Sequence, residues 1–260
     1  MLKSPEELVK MIQKSNLILV DCRSYKEYSE GHIPGAVNVD LFYYHWLDTT
    51  QDGIKSFEKQ MKNLFSFMGV TKQKTVVFYD DVAGMSAARG VWLLMYFSHP
   101  HVFILNGGFR KWQSLGLPIE TKTNGFRPAK FSGKTNKKIL AGFEYIKKNL
   151  GKAKLIDART KEEYEGKVMR AARKGHIPNS VSTDWTLNIN KDGTMKSLEE
   201  LAKLYQFSKN DEIITYCQGG YRAANSFVAL KILGFKNVKV YLGSWGEWGN
   251  RLDLPVEDFS

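Results

Sequence analysis

The sequence is short of cysteine and proline, with two and seven residues respectively among 260. Cys22 and Cys217 form no disulfide framework and no paired metal-ligand spacing, and so sparse a thiol content fits a reducing compartment. His99-Pro100-His101 stands without further ligands at metal spacing, so no metal is expected. No apolar run is long enough for a bilayer, which argues against a membrane partner. The lysines are dispersed and form no known nucleic-acid motif, which argues against a nucleic-acid partner. The opening residues lack the character of a secretory signal. Ser4 as N-cap, Pro5 in the first turn and Glu7 closing a capping box read as a helix start, so the expected location is cytoplasmic.

The hydrophobic fraction of 43% and charged fraction of 25% are those of a globular protein. The formal charge is +11 and unevenly spread: residues 1–125 hold 14 Lys+Arg against 12 Asp+Glu, residues 126–260 hold 24 against 15. The half with Cys217 is therefore the basic one, and such a field gathers small anions.

The chain repeats itself. Val20-Asp21-Cys22-Arg23-Ser24 is answered by Ile156-Asp157-Ala158-Arg159-Thr160. Gly31-His32-Ile33-Pro34 is answered by Gly175-His176-Ile177-Pro178, and Val76-Val77-Phe78-Tyr79-Asp80 by Ile213-Ile214-Thr215-Tyr216-Cys217. Leu105 through Trp112 is answered by Tyr241 through Trp248, and Leu117-Pro118 by Leu254-Pro255. Five blocks in one order mark a duplicated domain. Strand-like apolar runs alternate with helix-like spacing, which predicts α/β domains with mostly parallel sheets flanked by helices. The expected division is residues 1–120, a polar and basic linker over 121–136, and residues 137–260. The second copy carries an insertion, Glu165 to Lys174, that brings Lys167, Arg170, Arg173 and Lys174.

The copies differ where the chemistry is expected. After the strand tyrosine the first copy has Asp80 and the second has Cys217. That tolerance of a carboxylate predicts a strand end open to solvent, where α/β sheets bind ligands. Gly219 and Gly220 allow backbone N–H groups to converge, and the following helix adds its N-terminal donors and positive dipole end. Arg222 adds a fixed charge. Together these favour thiolate over thiol at Cys217. The paired Asp21/Arg23 and Asp157/Arg159 read as structural ion pairs, and His32 and His176 as turn residues. Cys22 reads as a small buried filler, and Trp185, Trp245 and Trp248 as packing or cleft residues.

Cys217-Gln218-Gly219-Gly220-Tyr221-Arg222-Ala223 resembles the active-site loop of rhodanese-type sulfurtransferases. The paired Asp/Arg and Gly-His-Ile-Pro blocks, with Asn106-Gly107-Gly108-Phe109 and Leu242-Gly243-Ser244-Trp245, resemble that family's structural signatures over nearly the whole chain. The resemblance implies two tandem rhodanese-like domains, the N-terminal one non-catalytic. It implies a double displacement in which Cys217 takes sulfur from a small anionic donor such as thiosulfate. The persulfide then passes it to a thiophilic acceptor such as cyanide, a thiol or an acceptor protein. No cofactor is implied. Gln218, Gly219, Gly220, Tyr221 and Arg222 would form the loop that binds substrate and persulfide. The six-residue span from Cys217 to Arg222 is one shorter than in related phosphatases and arsenate reductases, which remain an alternative. So do a 3-mercaptopyruvate sulfurtransferase, whose usual loop this chain lacks, and a persulfide carrier or regulatory module. Glu163 stands where well-known members place an anion-binding arginine. Arg222 is the expected compensation, with Arg170, Arg173 and Lys174 as further candidates for anion contact.

Overall fold

A computed structural model describes residues 1–258. The chain packs into two compact units. The first comprises Met1–Tyr44, Glu58–Asn136 and Ile189–Lys196; the second comprises His45–Phe57, Lys137–Asn188 and the chain from Ser197 onward. Relative to chain order, two short stretches are thus exchanged, and they begin at equivalent points of the repeat, His45 and Ile189.

The first unit holds strands β1 (Leu2–Lys3), β2 (Leu17–Asp21), β3 (Val37–Asn38), β4 (Thr75–Tyr79) and β5 (Val102–Leu105). They form one parallel sheet in the order β1-β5-β4-β2-β3. Its helices are α1 (Pro5–Ile12), α2 (Tyr25–Glu30), most of α3 (Gln51–Phe67), α4 (Met85–Tyr96) and α5 (Gly108–Ser114). In β4, Val76, Val77, Phe78 and Tyr79 are all fully buried. That is why the strand reads as a continuous apolar run: both faces of a parallel sheet are covered by crossover helices. The capping box at Ser4 and Glu7 forms as the sequence implies.

The second unit repeats the plan. Strands β6 (Leu140–Ala141), β7 (Lys154–Asp157), β8 (Ser180–Ser182), β9 (Ile213–Tyr216) and β10 (Val238–Tyr241) form a parallel sheet in the order β6-β10-β9-β7-β8. Helices α6 (Phe143–Asn149), α7 (Lys161–Tyr164), α8 (Leu198–Leu204), α9 (Tyr221–Ile232) and α10 (Ser244–Trp248) belong to it. From β7 the chain goes to β8 on one side, then to β9 on the other. The carboxyl ends of β7 and β9 therefore flank a topological switch point, the place where open α/β sheets bind ligands. Cys217 follows the last residue of β9 directly.

The repeated blocks are the joints of each unit. Arg159 sends Nε and Nη2 to the Asp157 carboxylate, with Nη2 to Oδ2 at 2.6 Å, and Nη2 also reaches the Gly175 carbonyl at 2.8 Å. Arg23 does the same to Asp21 and to Gly31 O, at 2.6 and 2.7 Å. Asp157 and Asp21 are fully buried, so each carboxylate depends on its arginine. The strand tyrosines tie the same turns, since the Ile177 and Ile33 N–H groups donate to the hydroxyls of Tyr216 and Tyr79. His176 stacks on Tyr164 at 3.8 Å and His32 on Tyr28 at 3.7 Å, and both histidines bond those tyrosines' carbonyls. These histidines are turn residues. Trp245 and Trp248 are buried in the second core with Ile177, Tyr216 and Tyr241. Cys22 is buried, and burial pushes its thiol well above the ordinary range.

Arg159→Met leaves the Asp157 charge buried without its partner. Denaturant unfolding should show the second unit destabilised by about 3–5 kcal/mol; a loss below ~1 kcal/mol would contradict this role for the pair.

Candidate active site

Cys217 sits at the carboxyl end of β9, at the mouth of α9, and is 1% exposed. Its place is the expected one, but the open strand end is not there: the thiol is covered. The Gly220 N–H donates to Cys217 Sγ at 3.1 Å. Gly220 adopts φ +85°, a left-handed backbone that an L side chain would strain, and α9 has no side-chain N-cap. The cysteine sulfur thus accepts the N–H of the N-cap residue itself.

The first copy shows what such a loop does. Asp80 turns its carboxylate into the corresponding loop and accepts four backbone N–H groups. Val82 and Gly84 donate to Oδ1 at 3.2 and 3.1 Å, and Ser86 and Ala87 to Oδ2 at 3.0 and 3.1 Å. Burial raises the Asp80 carboxyl to about 6 and the four N–H groups oppose that rise, so a carboxylate still mostly ionised at neutral pH is held at this position in one of the two copies. Asp80 is four residues before the N-cap of α4, whereas Cys217 is three before that of α9. The longer loop encloses a carboxylate; the shorter one closes on a single sulfur atom.

The loop backbone is held from the other side. Trp245 N–H donates to Cys217 O at 2.9 Å and Gly246 N–H to Gln218 O at 2.8 Å. In the first copy Phe109 and Arg110 donate likewise to Asp80 O and Asp81 O, at 2.8 and 3.0 Å. Ser244 accepts the Cys217 N–H at 3.2 Å and donates to Tyr241 O at 2.8 Å. Its φ of +53° matches the +59° of its counterpart Gly108. The serine keeps this costly backbone because its hydroxyl joins two buried backbone groups.

The basic candidates separate clearly. Arg222 faces Glu163 in a bidentate pair, Nη1 to Oε2 at 2.5 Å and Nη2 to Oε1 at 3.0 Å. Arg170 Nε approaches Glu163 Oε1 at 3.3 Å. Glu163 is buried, closes the capping box of α7 with Thr160, and takes the Thr160 N–H on Oε2 at 3.1 Å. Burial works against its charge, but the Arg222 hydrogen bond and charge outweigh burial and hold the carboxyl below its ordinary value of 4.5. Burial likewise opposes the Arg222 charge, and Glu163 first and then Cys217 raise the guanidinium further above its usual range. The compensation expected of Arg222 is thus an ion pair inside the protein, and one carboxylate meets two guanidiniums.

Gln218 Nε2 donates to Arg170 O at 2.9 Å, which ties the insertion to the loop. Arg173 is placed differently from the expectation. Its Nε donates to Gly249 O at 3.3 Å, Nη1 to Leu254 O at 2.6 Å, and Nη2 to Trp248 O at 2.8 Å and to Arg251 O. These bonds turn the guanidinium to the chain's own backbone, so it anchors α10 instead of meeting an anion. Lys174 is exposed, with its stem against Gly166. Among the described residues no group of three or more His, Cys, Asp or Glu could hold a metal ion.

One residue at the site was not singled out from sequence. His45, in the stretch belonging to the second unit, lies against Gly219 and stacks on Tyr221 with ring centroids 5.8 Å apart. The repeat held the signal, since the equivalent position of the second copy is Ile189.

The depressed Glu163 carboxyl makes the clamp acid-sensitive. Its stability contribution is full above the ordinary value of 4.5 and is lost as pH falls through the lower folded value. Thermal unfolding of wild type and Glu163→Gln should therefore differ most near neutral pH and converge in acid. A gap that widens on acidification would contradict this.

A model of the rhodanese-like domain matches the chain twice, over residues 4–115 and 143–251. A thiosulfate sulfurtransferase of Pseudomonas aeruginosa is 34% identical over 97% of this chain and 95% of its own. The sulfur carrier protein TtuD of Thermus thermophilus is 34% identical over 88% of this chain and 86% of its own. Among solved structures, EanB carrying a cysteine persulfide with ergothioneine superposes with a TM-score of 0.87 at 22% identity. That match covers 99% of this chain and 70% of EanB, and it speaks to the fold alone. No helix among the described residues is long and apolar enough to cross a membrane. With two matched domains, two parallel five-stranded sheets and relatives at this identity over most of its length, the chain belongs to the two-domain rhodanese-type sulfurtransferases.

Proposed function

We propose that the chain moves sulfane sulfur by double displacement through a persulfide on Cys217. The Cys217 sulfur attacks the outer sulfur of a small anionic donor such as thiosulfate, sulfite departs, and Cys217 is left carrying one extra sulfur. A thiophilic acceptor then removes that sulfur and frees the thiolate. The observation that carries this reading is the Gly220 N–H on Cys217 Sγ, in a loop whose twin holds the Asp80 carboxylate on four N–H groups. A group that binds an anion by fixed backbone donors also stabilises one that forms during reaction. The shorter loop around Cys217 favours sulfur transfer over phosphatase or arsenate reductase chemistry. Two buried free cysteines fit a reducing, cytoplasmic setting.

A carrier reading has support of its own, since a relative over most of the chain is named a sulfur carrier protein and Cys217 is 1% exposed. It predicts a loaded Cys217 with slow turnover on small acceptors and fast turnover on an acceptor protein.

Thiocyanate formation from thiosulfate and cyanide tests the leading reading. Cys217→Ser should abolish it, and full activity in that variant would overturn the mechanism. Glu163→Gln removes one negative charge beside Arg222 and Arg170. The KM for thiosulfate should then fall by roughly tenfold, ~1.4 kcal/mol of relief, with kcat little changed; a rise in KM would show that the pair serves to position Arg222 for the donor.

A further inference from the structure

His45 is exposed, yet it is not loosely placed. The Cε1 edge of its imidazole points at Gly219, so close that an added Cβ there would overlap Cε1 and fall 2.8 and 2.9 Å from the two ring nitrogens. Its plane is 20° from that of Tyr221, the first residue of α9. The stretch that carries it is fastened to α10. Thr49 N–H donates to Glu247 Oε1 at 2.8 Å and Thr49 Oγ1 to Glu247 Oε2 at 2.5 Å. Phe143 N–H donates to Thr49 Oγ1 at 3.0 Å, and Tyr241 OH to Glu247 Oε2 at 2.8 Å. The Leu47 side chain lies against Gly246 and its carbonyl against Gly243. Gly246 is also the residue whose N–H holds Gln218 O. The imidazole and the cysteine loop are thus both fixed to α10. The exposed ring thus lies against Gly219, which is two positions after Cys217 in the loop.

We propose that His45 is the general base for the acceptor half of the reaction, and that the acceptor it serves is a small thiol. This rests on the sulfurtransferase reading above. A free thiol, with a pKa of about 8.5, is mostly protonated near neutral pH and a poor nucleophile until it loses that proton. A ring nitrogen of His45 takes the proton of R–SH. The resulting thiolate forms a bond to the outer sulfur of Cys217–S–SH. The S–S bond to Cys217 breaks, its electron pair stays on Sγ as thiolate, and R–S–SH leaves. The transferred sulfur keeps its oxidation state, so no oxidant or reductant is required, and His45 returns its proton to solvent. The titratable and charged groups on the elements packed here are Cys217, Tyr221 and Arg222 of the loop and α9. To these are added Tyr241 and Glu247 beneath the stretch and Asp48 within it. Burial raises the Glu247 carboxyl, which is occupied by Thr49 and Tyr241.

The test compares two acceptors on wild type and His45→Gln, each preloaded with sulfur. Glutathione at about pH 8 must lose a proton; sulfite at that pH has none to lose. His45→Gln should lower kcat/KM for glutathione about threefold more than for sulfite at that pH, where about a quarter of a thiol of pKa about 8.5 is already thiolate, and by a larger factor at lower pH. The deficit should close as pH rises through the thiol's own pKa, and added imidazole should restore part of the rate. An unchanged ratio of the two acceptors in the variant overturns the proposal. Wild type that transfers sulfur to neither acceptor overturns the sulfurtransferase reading, and this proposal with it.

Discussion

The site depends on two hydrogen bonds between backbone groups. Trp245 and Gly246, at the start of α10, hold the carbonyls of Cys217 and Gln218. Those bonds fix the turn between β9 and α9 from outside, while the Gly220 N–H turns to Cys217 Sγ. Without that hold, Gly219 and Gly220 would give the loop many conformations and no fixed donors. The same two bonds recur in the first unit, from Phe109 and Arg110 to Asp80 and Asp81. The aromatic that packs into each core is therefore also the residue that grips the loop. Core packing and loop geometry are coupled through Trp245, which is 1% exposed.

Duplication turned one anion-binding loop into two different devices. In the first unit the donors are occupied internally by Asp80, so that loop is satisfied within the chain. In the second, the sulfur at the start of a shorter loop takes the Gly220 N–H. Glu163 and Arg222 repeat the theme of a charge satisfied within the protein. Their bidentate pair holds the Arg222 guanidinium near Cys217 while halving the positive charge offered by Arg222 and Arg170. Charge at this site is balanced by placement, and the basic excess of the second half acts only as a broader field.

What the sequence made legible was local or repeated. Both sheets could be foreseen because parallel strands buried on two faces are continuous apolar runs, as in Val76 to Tyr79. The Asp/Arg and Gly-His-Ile-Pro blocks were legible as structure because a residue present in both copies need not serve one site. Cys217 stood out by the opposite logic, as a difference between copies. Strand order was not legible, since it depends on pairing between distant segments. Nor was the burial of Cys217, since a carboxylate counterpart at Asp80 reads as a solvent-open strand end; the carboxylate is tolerated there because backbone N–H groups meet it, with no need for solvent. Arg222 and Glu163 are 59 positions apart, and only the fold shows that they neutralise each other. Arg173 looked like a free cation in a basic insertion, while its environment of four carbonyls comes from segments far along the chain. His45 escaped because its relevance lies in which unit its stretch joins, although its mismatch with Ile189 was available in the repeat.

The central claim is that Cys217 carries sulfur covalently. Intact-mass measurement after incubation with thiosulfate and removal of excess donor tests it most directly. The account predicts a gain of one sulfur atom on wild type, located on Cys217 by peptide mapping, absent in Cys217→Ser, and discharged by cyanide or a thiol. A sulfur adduct on Cys22, or on the Cys217→Ser variant, would contradict it.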